Sequence, residues 1–456
     1  MRILFKCLLF TLLLPSCAIF KSRANRSAQK IRHEVAHSLT FSKAFTGFTL
    51  LDPVTGKTLA DFNGSRYFTP ASNTKILTLA TCLEVLRDSV PGMQVVETED
   101  VIVFRGTGDP TFLHPKFEAW QTVRRVLYRP AVPLHCFHRR FVEGRFGSGW
   151  AWDDYNEGYQ AEKSALPIYG NCFEVTGRSN QKFHVEPTFF DRFYRPGWEI
   201  KPSIGVKRIE DNNYWTFDSI PDQEVKTIPF RPYLRSFDFF EDVTPTTLLG
   251  ELLSDTLKRP VAEHFWDIES FVESKEYPWP TLYSTPIDTV LRRMMHQSDN
   301  FIAEQMLLVC AGVKFDLLQQ DTLIKWMLDS TLSKLPQRPR WVDGSGLSRY
   351  NLSTPQCLAQ VLQKLWNEQP HARLLSLFPA GGVSGTLSDW YAGKDEQPYV
   401  FAKTGSMSGV HCLSGYILCK SGKTLIFSFM HNNFVGSSRA WKVEMQRLLE
   451  QIRDSF

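Results

Sequence analysis

Two serines and two lysines in this chain have neighbours that could make them reactive. Ser72-Asn73-Thr74-Lys75 follows Thr69-Pro70-Ala71 and opens an apolar run with helical spacing. A serine hydroxyl is a weak nucleophile until a base takes its proton. Three residues apart at a helix start, Ser72 and Lys75 share one face about a turn apart. Lysine can act as that base only where its charged form is disfavoured, by burial or by a second cation. Lys403, in Lys403-Thr404-Gly405, can be the second cation. Between the two lies Ser298-Asp299-Asn300. Its hydroxyl can relay a proton between Lys75 and a leaving amine, and its amide can hold a peptide. Lys403 and Thr404 can bind a terminal carboxylate, while Gly405 lets a strand backbone approach the substrate closely. Exposed N–H groups at the start of the helix would favour a developing oxyanion. The chemistry implied is acyl transfer through a serine ester.

The three motifs are specific as an ordered set. S-x-x-K alone recurs at Ser27-Ala28-Gln29-Lys30 and Ser179-Asn180-Gln181-Lys182, which read as solvated surface, whereas S-x-N and K-T-G occur once each.

Such distant segments need a fold to assemble them. Residues 43–62 read as a hairpin, with Gly47 to Leu51 and Lys57 to Phe62 flanking a turn at Asp52-Pro53-Val54-Thr55-Gly56. A helix is expected from Ser72, with Ile76, Leu79, Cys82, Leu83 and Leu86 on one stripe and Pro91-Gly92 ending it. From about 96 to 274 the texture changes to short β-like runs, such as Val101 to Phe104, Phe183 to Val185 and Tyr214 to Phe217. Helical character returns at Pro286: Ile287, Leu291 and Met294 lead to Ser298-Asp299-Asn300, and a second helix follows from Phe301 to Val309. Gly409 to Cys419 and Thr424 to Met430 read as paired strands, and a final helix carries Trp441, Met445, Leu448, Leu449 and Ile452 on one face. The expected plan is an α/β domain built from 43–95 and 275–456, interrupted by a β-rich insertion over 96–274.

The 456 residues are 43% hydrophobic and 22% charged, ordinary for a globular chain and long enough for two or three domains. A formal net charge of +4, part of it from Arg2 and Lys6, predicts no nucleic-acid or membrane-surface partner. Those two residues flank the start of an apolar run, Ile3 to Pro15, that is too short to span a membrane. Leu14-Pro15-Ser16-Cys17 looks like a bacterial lipobox, so residues 1–17 are expected to be a lipoprotein-type signal peptide with lipid on Cys17; a plain cleaved signal is the alternative. Either implies export to the periplasm, with membrane attachment only through Cys17. Residues 18–42 form an N-terminal segment ahead of the first domain. Of nine cysteines, Cys7 would be removed and Cys17 lipidated, which leaves an odd, dispersed set better read as core than as a disulfide framework.

One motif points elsewhere. His33-Glu34-Val35-Ala36-His37 matches H-E-x-x-H, which on a helix would place two histidines on zinc and a glutamate beside it. Lys30, Arg32 and Ser38 around it are polar, and the segment reads better as a solvated N-terminal helix.

The ordered motifs Ser72-Asn73-Thr74-Lys75, Ser298-Asp299-Asn300 and Lys403-Thr404-Gly405 are those of penicillin-binding proteins and class A β-lactamases. The chain resembles, over roughly 43–430, the low-molecular-mass class C penicillin-binding proteins, the D-alanyl-D-alanine carboxypeptidase and endopeptidase family. Further similar stretches are Gly106-Thr107-Gly108-Asp109-Pro110-Thr111, Gly149-Trp150-Ala151-Trp152-Asp153-Asp154, Asp343-Gly344-Ser345-Gly346-Leu347-Ser348-Arg349 and Ala380-Gly381-Gly382-Val383-Ser384-Gly385-Thr386-Leu387. The long interval from Lys75 to Ser298 fits that family, which inserts extra domains there, better than a β-lactamase. The resemblance implies an α/β transpeptidase (β-lactamase-like) domain with a β-rich inserted region of one or two small domains. It implies peptidoglycan stem peptides and β-lactams as partners, no cofactor and no metal. It also implies an oxyanion hole from the backbone N–H groups of Ser72 and Ser406. Asp154 is the positional match for an aspartate near the substrate side chain, with a turn or capping role as the alternative. A β-lactamase of the same fold and a non-catalytic peptidoglycan-binding protein are the rival functions.

Overall fold

The computed structural model describes residues 25–456 except 118–125, 130–131, 139–140, 180–181, 197–204, 234–246, 265–278 and 394–396. The expected leader, with Cys7 and Cys17, lies outside the described residues.

Helix α1 covers residues 25–37. The hairpin follows as β1 (Phe45–Leu51) and β2 (Thr58–Phe62), paired antiparallel. Its turn is closed by Asp52, whose carboxylate accepts the Val54 N–H at 2.9 Å and whose carbonyl accepts the Gly56 N–H at 2.9 Å. Gly56 has φ 69°, a conformation suited to glycine. Ser72 is not yet in the α-helix. Ala71–Thr74 form a 3₁₀ turn, and α2 runs Lys75–Val85. The expected stop at Pro91-Gly92 is corrected too, because both residues lie inside β3 (Ser89–Glu97). Pro91 is tolerated there because the pairing around it is irregular, so its missing N–H breaks no regular ladder.

The inserted region continues with β4 (Ile102–Gly106), β5 (Leu134–Phe137), β6 (Cys172–Arg178), β7 (Lys182–Glu186), β8 (Val206–Arg208), β9 (Trp215–Phe217) and β10 (Val225–Pro229). Helix α3 (Leu248–Leu257), β11 (Val261–His264) and β12 (Thr281–Pro286) complete it. Its largest sheet has the order β11-β5-β4-β3-β12, beside a three-stranded sheet β10-β6-β7 and the pair β8-β9. Strands of this sheet thus run from Ser89 to Pro286, around the 96–274 expected for the insertion. Its own core gathers Phe104, Phe112, Phe173, Phe190, Trp215 and Leu252. Helix α3, with Thr247 as its N-cap, is absent from the sequence reading.

Five helices follow: α4 (Ile287–His296), α5 (Asn300–Phe315), α6 (Gln320–Asp329), α7 (Pro355–Glu368) and α8 (His371–Leu377). Then come β13 (Val400–Met407), β14 (Val410–Leu418), β15 (Thr424–Asn432) and α9 (Arg439–Ser455). The two ends of the chain share one antiparallel sheet in the order β13-β14-β15-β1-β2. One core joins Ile76 and Leu79 of α2 to Met294, Ile302, Met306 and Leu362, and the other packs Ile31, Val35, Trp441, Met445 and Leu448 on Phe48 and Phe427. Helix α5 is buried without a break from Phe301 to Ala311, which its nearly continuous apolar sequence anticipates. No described helix is long and apolar enough to cross a membrane.

Candidate active site

Ser72 is placed by backbone strain and by one glycine. Ala71 has φ 47°, uncommon for a residue with a Cβ, and turns the chain just before the serine. Gly346 packs on that bend, where a Cβ would lie 2.0 Å from the Ala71 carbonyl oxygen. Ser72 is left half-buried at the edge of a cleft.

Lys75 begins α2 and points back beneath Ser72. Its Nζ lies 3.2 Å from Ser72 Oγ, 2.6 Å from Asn300 Oδ1 and 2.7 Å from the Ser345 carbonyl oxygen. The side chain is fully buried, and lost hydration pulls its pKa down to about 8. Glu304, Asp343 and Asp299 oppose that fall.

Ser298 sits between α4 and α5 with φ 57°, a second strained residue in the motif set. Its Oγ accepts from Lys403 Nζ at 2.9 Å, so the structure seats it on the second lysine, although a relay partnered with Lys75 is the sequence expectation. Asn300 is engaged at both ends of its amide: Oδ1 accepts from Lys75, and Nδ2 donates to the Tyr159 carbonyl at 3.1 Å. It therefore joins the base to the insertion, beyond the substrate contact expected of it.

Lys403 also donates to the Thr404 carbonyl at 2.9 Å, and burial first, then Lys75, holds its pKa well below the usual lysine range. Thr404 Oγ1 donates to Thr386 Oγ1 at 2.8 Å, which brings the Gly385-Thr386-Leu387 turn to the strand. Gly405 presses on the Ser72 turn, and Ser406 is exposed at the cleft with its Oγ 2.9 Å from His411 Nδ1.

The cleft has a volume of about 680 Å³. Ser72, Asn300 and Ser406 line one side, and Asp154 and Tyr159 of the insertion line another. Asp154 bonds the Tyr159 hydroxyl; with burial as the larger cause, the phenol pKa is pushed up to about 12. Trp150 anchors this wall by donating from Nε1 to Asp343 Oδ2 at 2.9 Å. Glu304, Ser345 and Tyr159 escape the sequence reading. Glu304 leaves a signal there, as a charged residue inside the apolar run of α5, and Ser345 lies in the Asp343-to-Arg349 stretch that carries the family resemblance, with no role of its own marked.

The H-E-x-x-H segment lies in α1, which docks through Ala28, Ile31 and Val35 and is not solvated all round. His33 and His37 are exposed and stack on one another, with ring centroids 4.1 Å apart. Glu34 accepts from Arg447 and Gln451 of α9 at 2.8 Å each. Its carboxylate holds two helices together. Ser27 and Lys30 of the second S-x-x-K also lie on this helix.

Residues 28–188 and 269–452 match the D-Ala-D-Ala carboxypeptidase 3 (S13) family. The chain is 25% identical over 435 residues to the D-alanyl-D-alanine carboxypeptidase DacB of Haemophilus influenzae, covering 87% of each chain. It is 26% identical over 451 residues to a D-alanyl-D-alanine carboxypeptidase of Actinomadura sp. (strain R39), covering 86% of this chain and 78% of that one. Its fold is similar to the crystal structure of penicillin binding protein 4 from Haemophilus influenzae, with a TM-score of 0.69, 20% identity, and coverage of 90% of this chain and 97% of that one. The fold is thus the α/β transpeptidase fold with additional sheet-rich structure, and the class is that of serine-type peptidases. The chain belongs to the D-Ala-D-Ala carboxypeptidase 3 (S13) family. Its reaction is that family's, hydrolysis of a D-alanyl-D-alanine peptide.

Proposed function

We propose that Ser72 is the nucleophile and Lys75 the base of a D-alanyl-D-alanine carboxypeptidase and endopeptidase of peptidoglycan. The observation that carries this is the fully buried Lys75 amine 3.2 Å from Ser72 Oγ, its pKa lowered toward neutrality. Neutral Lys75 takes the Ser72 proton as Oγ attacks the carbonyl of the penultimate D-Ala. The oxyanion rests on the backbone N–H groups of Ser72 and Ser406, two residues that line the same cleft. The C–N bond breaks, and the departing amine receives its proton through Ser298. Water then hydrolyses the ester. Lys403 and Thr404 take the substrate carboxylate, Gly405 allows the close approach of β13, and Asn300 orients both Lys75 and the peptide. Asp154, half-buried on the insertion wall, faces the side chain of the stem peptide. β-Lactams acylate the same serine. Action on the wall fits export to the periplasm, with Cys17 as the lipid attachment point.

The deciding measurement is intact mass after incubation with benzylpenicillin, for wild type and Ser72→Ala. One stoichiometric adduct that is absent from the variant is the expected result, and a wild type without adduct would sink the assignment.

A further inference from the structure

Helix α5 aims a second polar group at the base. Asn300 and Glu304 are one turn apart, so their side chains leave the same face. Asn300 reaches Lys75 directly. Glu304 reaches it through the backbone of one residue: its Oε1 accepts the Ser345 N–H at 2.7 Å, and the Ser345 carbonyl accepts from Lys75 Nζ at 2.7 Å. Glu304 is 1% exposed within the buried stretch of α5. A carboxylate in such surroundings is costly unless it is paired and hydrogen-bonded, so its place calls for a reason.

Its remaining contacts lead into the insertion. Oε2 accepts from Gln320 Nε2 at 2.8 Å, and Gln320 Oε1 accepts from Lys163 Nζ at 3.3 Å. Lys163, itself buried, pairs with Glu143 at 2.5 Å, and Glu143 also accepts the Gln320 backbone N–H at 2.6 Å. A continuous run of polar contacts therefore links Glu143 and Lys163 of the insertion to Lys75 under the nucleophile.

We propose that Glu304 is a positioning residue for Lys75: it fixes the Ser345 backbone that holds the amine beneath Ser72, and it supplies negative charge facing that amine. The proposal rests on Lys75 being the base. Among the described residues, three acids face Lys75, Glu304, Asp343 and Asp299, and each favours its protonated form; Lys75 in turn disfavours a charge on neighbouring Lys403. Glu304 is faced in turn by Asp343 and Lys163. Burial pushes the Glu304 pKa up, and Lys163 draws it down. Among the three acids Glu304 acts most strongly on the lysine, and it alone also holds the Ser345 backbone.

The test is the acylation rate by benzylpenicillin from pH 5 to 10, for wild type, Glu304→Gln and Glu304→Asp, with melting curves for each. Glu304→Gln keeps an oxygen for the Ser345 N–H but removes the charge. Its acid limb should move down by about half a pH unit or more, because the lysine then loses its proton more easily. Glu304→Asp keeps the charge but withdraws the carboxylate by one methylene. Its limb should stay in place while the plateau falls about tenfold. An unmoved limb in a folded Glu304→Gln overturns the proposal, as does a wild-type plateau in Glu304→Asp. Should Glu304→Gln not fold, because its amide presents a donor to Gln320, the Glu304→Asp plateau decides alone. A wild type that forms no penicillin adduct would instead bring down the Ser72–Lys75 assignment.

Discussion

The side-chain amide of Asn73 donates to the backbone carbonyl of Lys403 at 2.9 Å, tying the residue beside the nucleophile to the strand that carries the second lysine. Two residues further along β13, the strand lies against the same turn. A Cβ at Gly405 would fall 2.4 Å from the Pro70 carbonyl oxygen and 3.0 Å from the Asn73 nitrogen. Both are backbone atoms, so swinging aside the Asn73 amide, whose Nδ2 would lie 2.9 Å away, cannot relieve the clash. Gly405→Ala must push β13 away and part Ser406 from Ser72. Acylation by benzylpenicillin is expected to fall about 100-fold, against a stability loss of about 1–3 kcal/mol from overpacking. Stopped-flow acylation and denaturant unfolding measure the two, and acylation at the wild-type rate would show that the close approach is unnecessary.

Burial of Lys75 sets the pH behaviour. Its pKa of about 8 in the folded protein, against 10.5 ordinarily, predicts an acylation rate that climbs with pH and is half-maximal near 8. The same difference acts on stability. Between about 8 and 10.5 the unfolded chain holds a proton that the folded one has lost, so stability rises with pH there. Relative to Lys75→Met, the melting temperature of the wild type should therefore climb from pH 7 to pH 9.5. Removing Lys75 also relieves Lys403, which adds to the difference in the same direction. A difference that stays flat across that range would mean that Lys75 titrates as an ordinary lysine.

How much of this site was legible in the sequence depends on where each contribution resides. Ser72, Lys75, Ser298, Asn300 and Lys403 are side chains of telling type in ordered motifs, and the fold brings them into hydrogen-bonded contact. The hairpin and the last strand pair were legible as apolar runs bounded by turn residues, and the final helix through its one-sided apolar spacing. The start and end of α2 were not, because a 3₁₀ turn and an α-helix share the same residue preferences, and Pro91 lies in an irregular strand pairing that local sequence does not announce. The Ser345 carbonyl under Lys75 is backbone, so no residue type marks it. For Asn300 the sequence suggests only a substrate contact, and its links to Lys75 and Tyr159 become visible only in the fold.

Asp343 organises the loop that carries Ser345 and Gly346. Its two oxygens accept from Trp150 Nε1 at 2.9 Å, Gly346 N at 2.8 Å, Ser348 N at 2.6 Å and Asn351 Nδ2 at 2.7 Å. Asp343→Asn turns one acceptor into a donor facing donors and leaves at least one buried N–H unpaired. That should cost about 2 kcal/mol or more. It should also slow acylation, because the wall anchored by Trp150 and the carbonyl holding Lys75 belong to this network. Urea unfolding checks the first and penicillin kinetics the second; unchanged values in both would mean that water replaces the lost bonds.

Asp109 is a buried acid away from the chemistry, and its effect on stability runs opposite to that of a surface carboxylate. It accepts the Thr111 N–H at 2.8 Å and bonds the Ser284 hydroxyl, yet burial outweighs those bonds and pushes its pKa from 3.8 up to about 6. The folded protein therefore holds a proton between those values that the unfolded chain has released. Stability present below 3.8 is lost as the pH rises through about 6. Asp109→Asn resembles the protonated acid: its oxygen can keep the Thr111 bond, and its amide can donate to the Ser284 oxygen. The variant should be more stable than wild type at pH 8, by about 1–3 kcal/mol, with the gap closing toward pH 4. Denaturant unfolding at both pH values measures this, and equal stability at pH 8 would mean that the charged carboxylate is well accommodated in the fold.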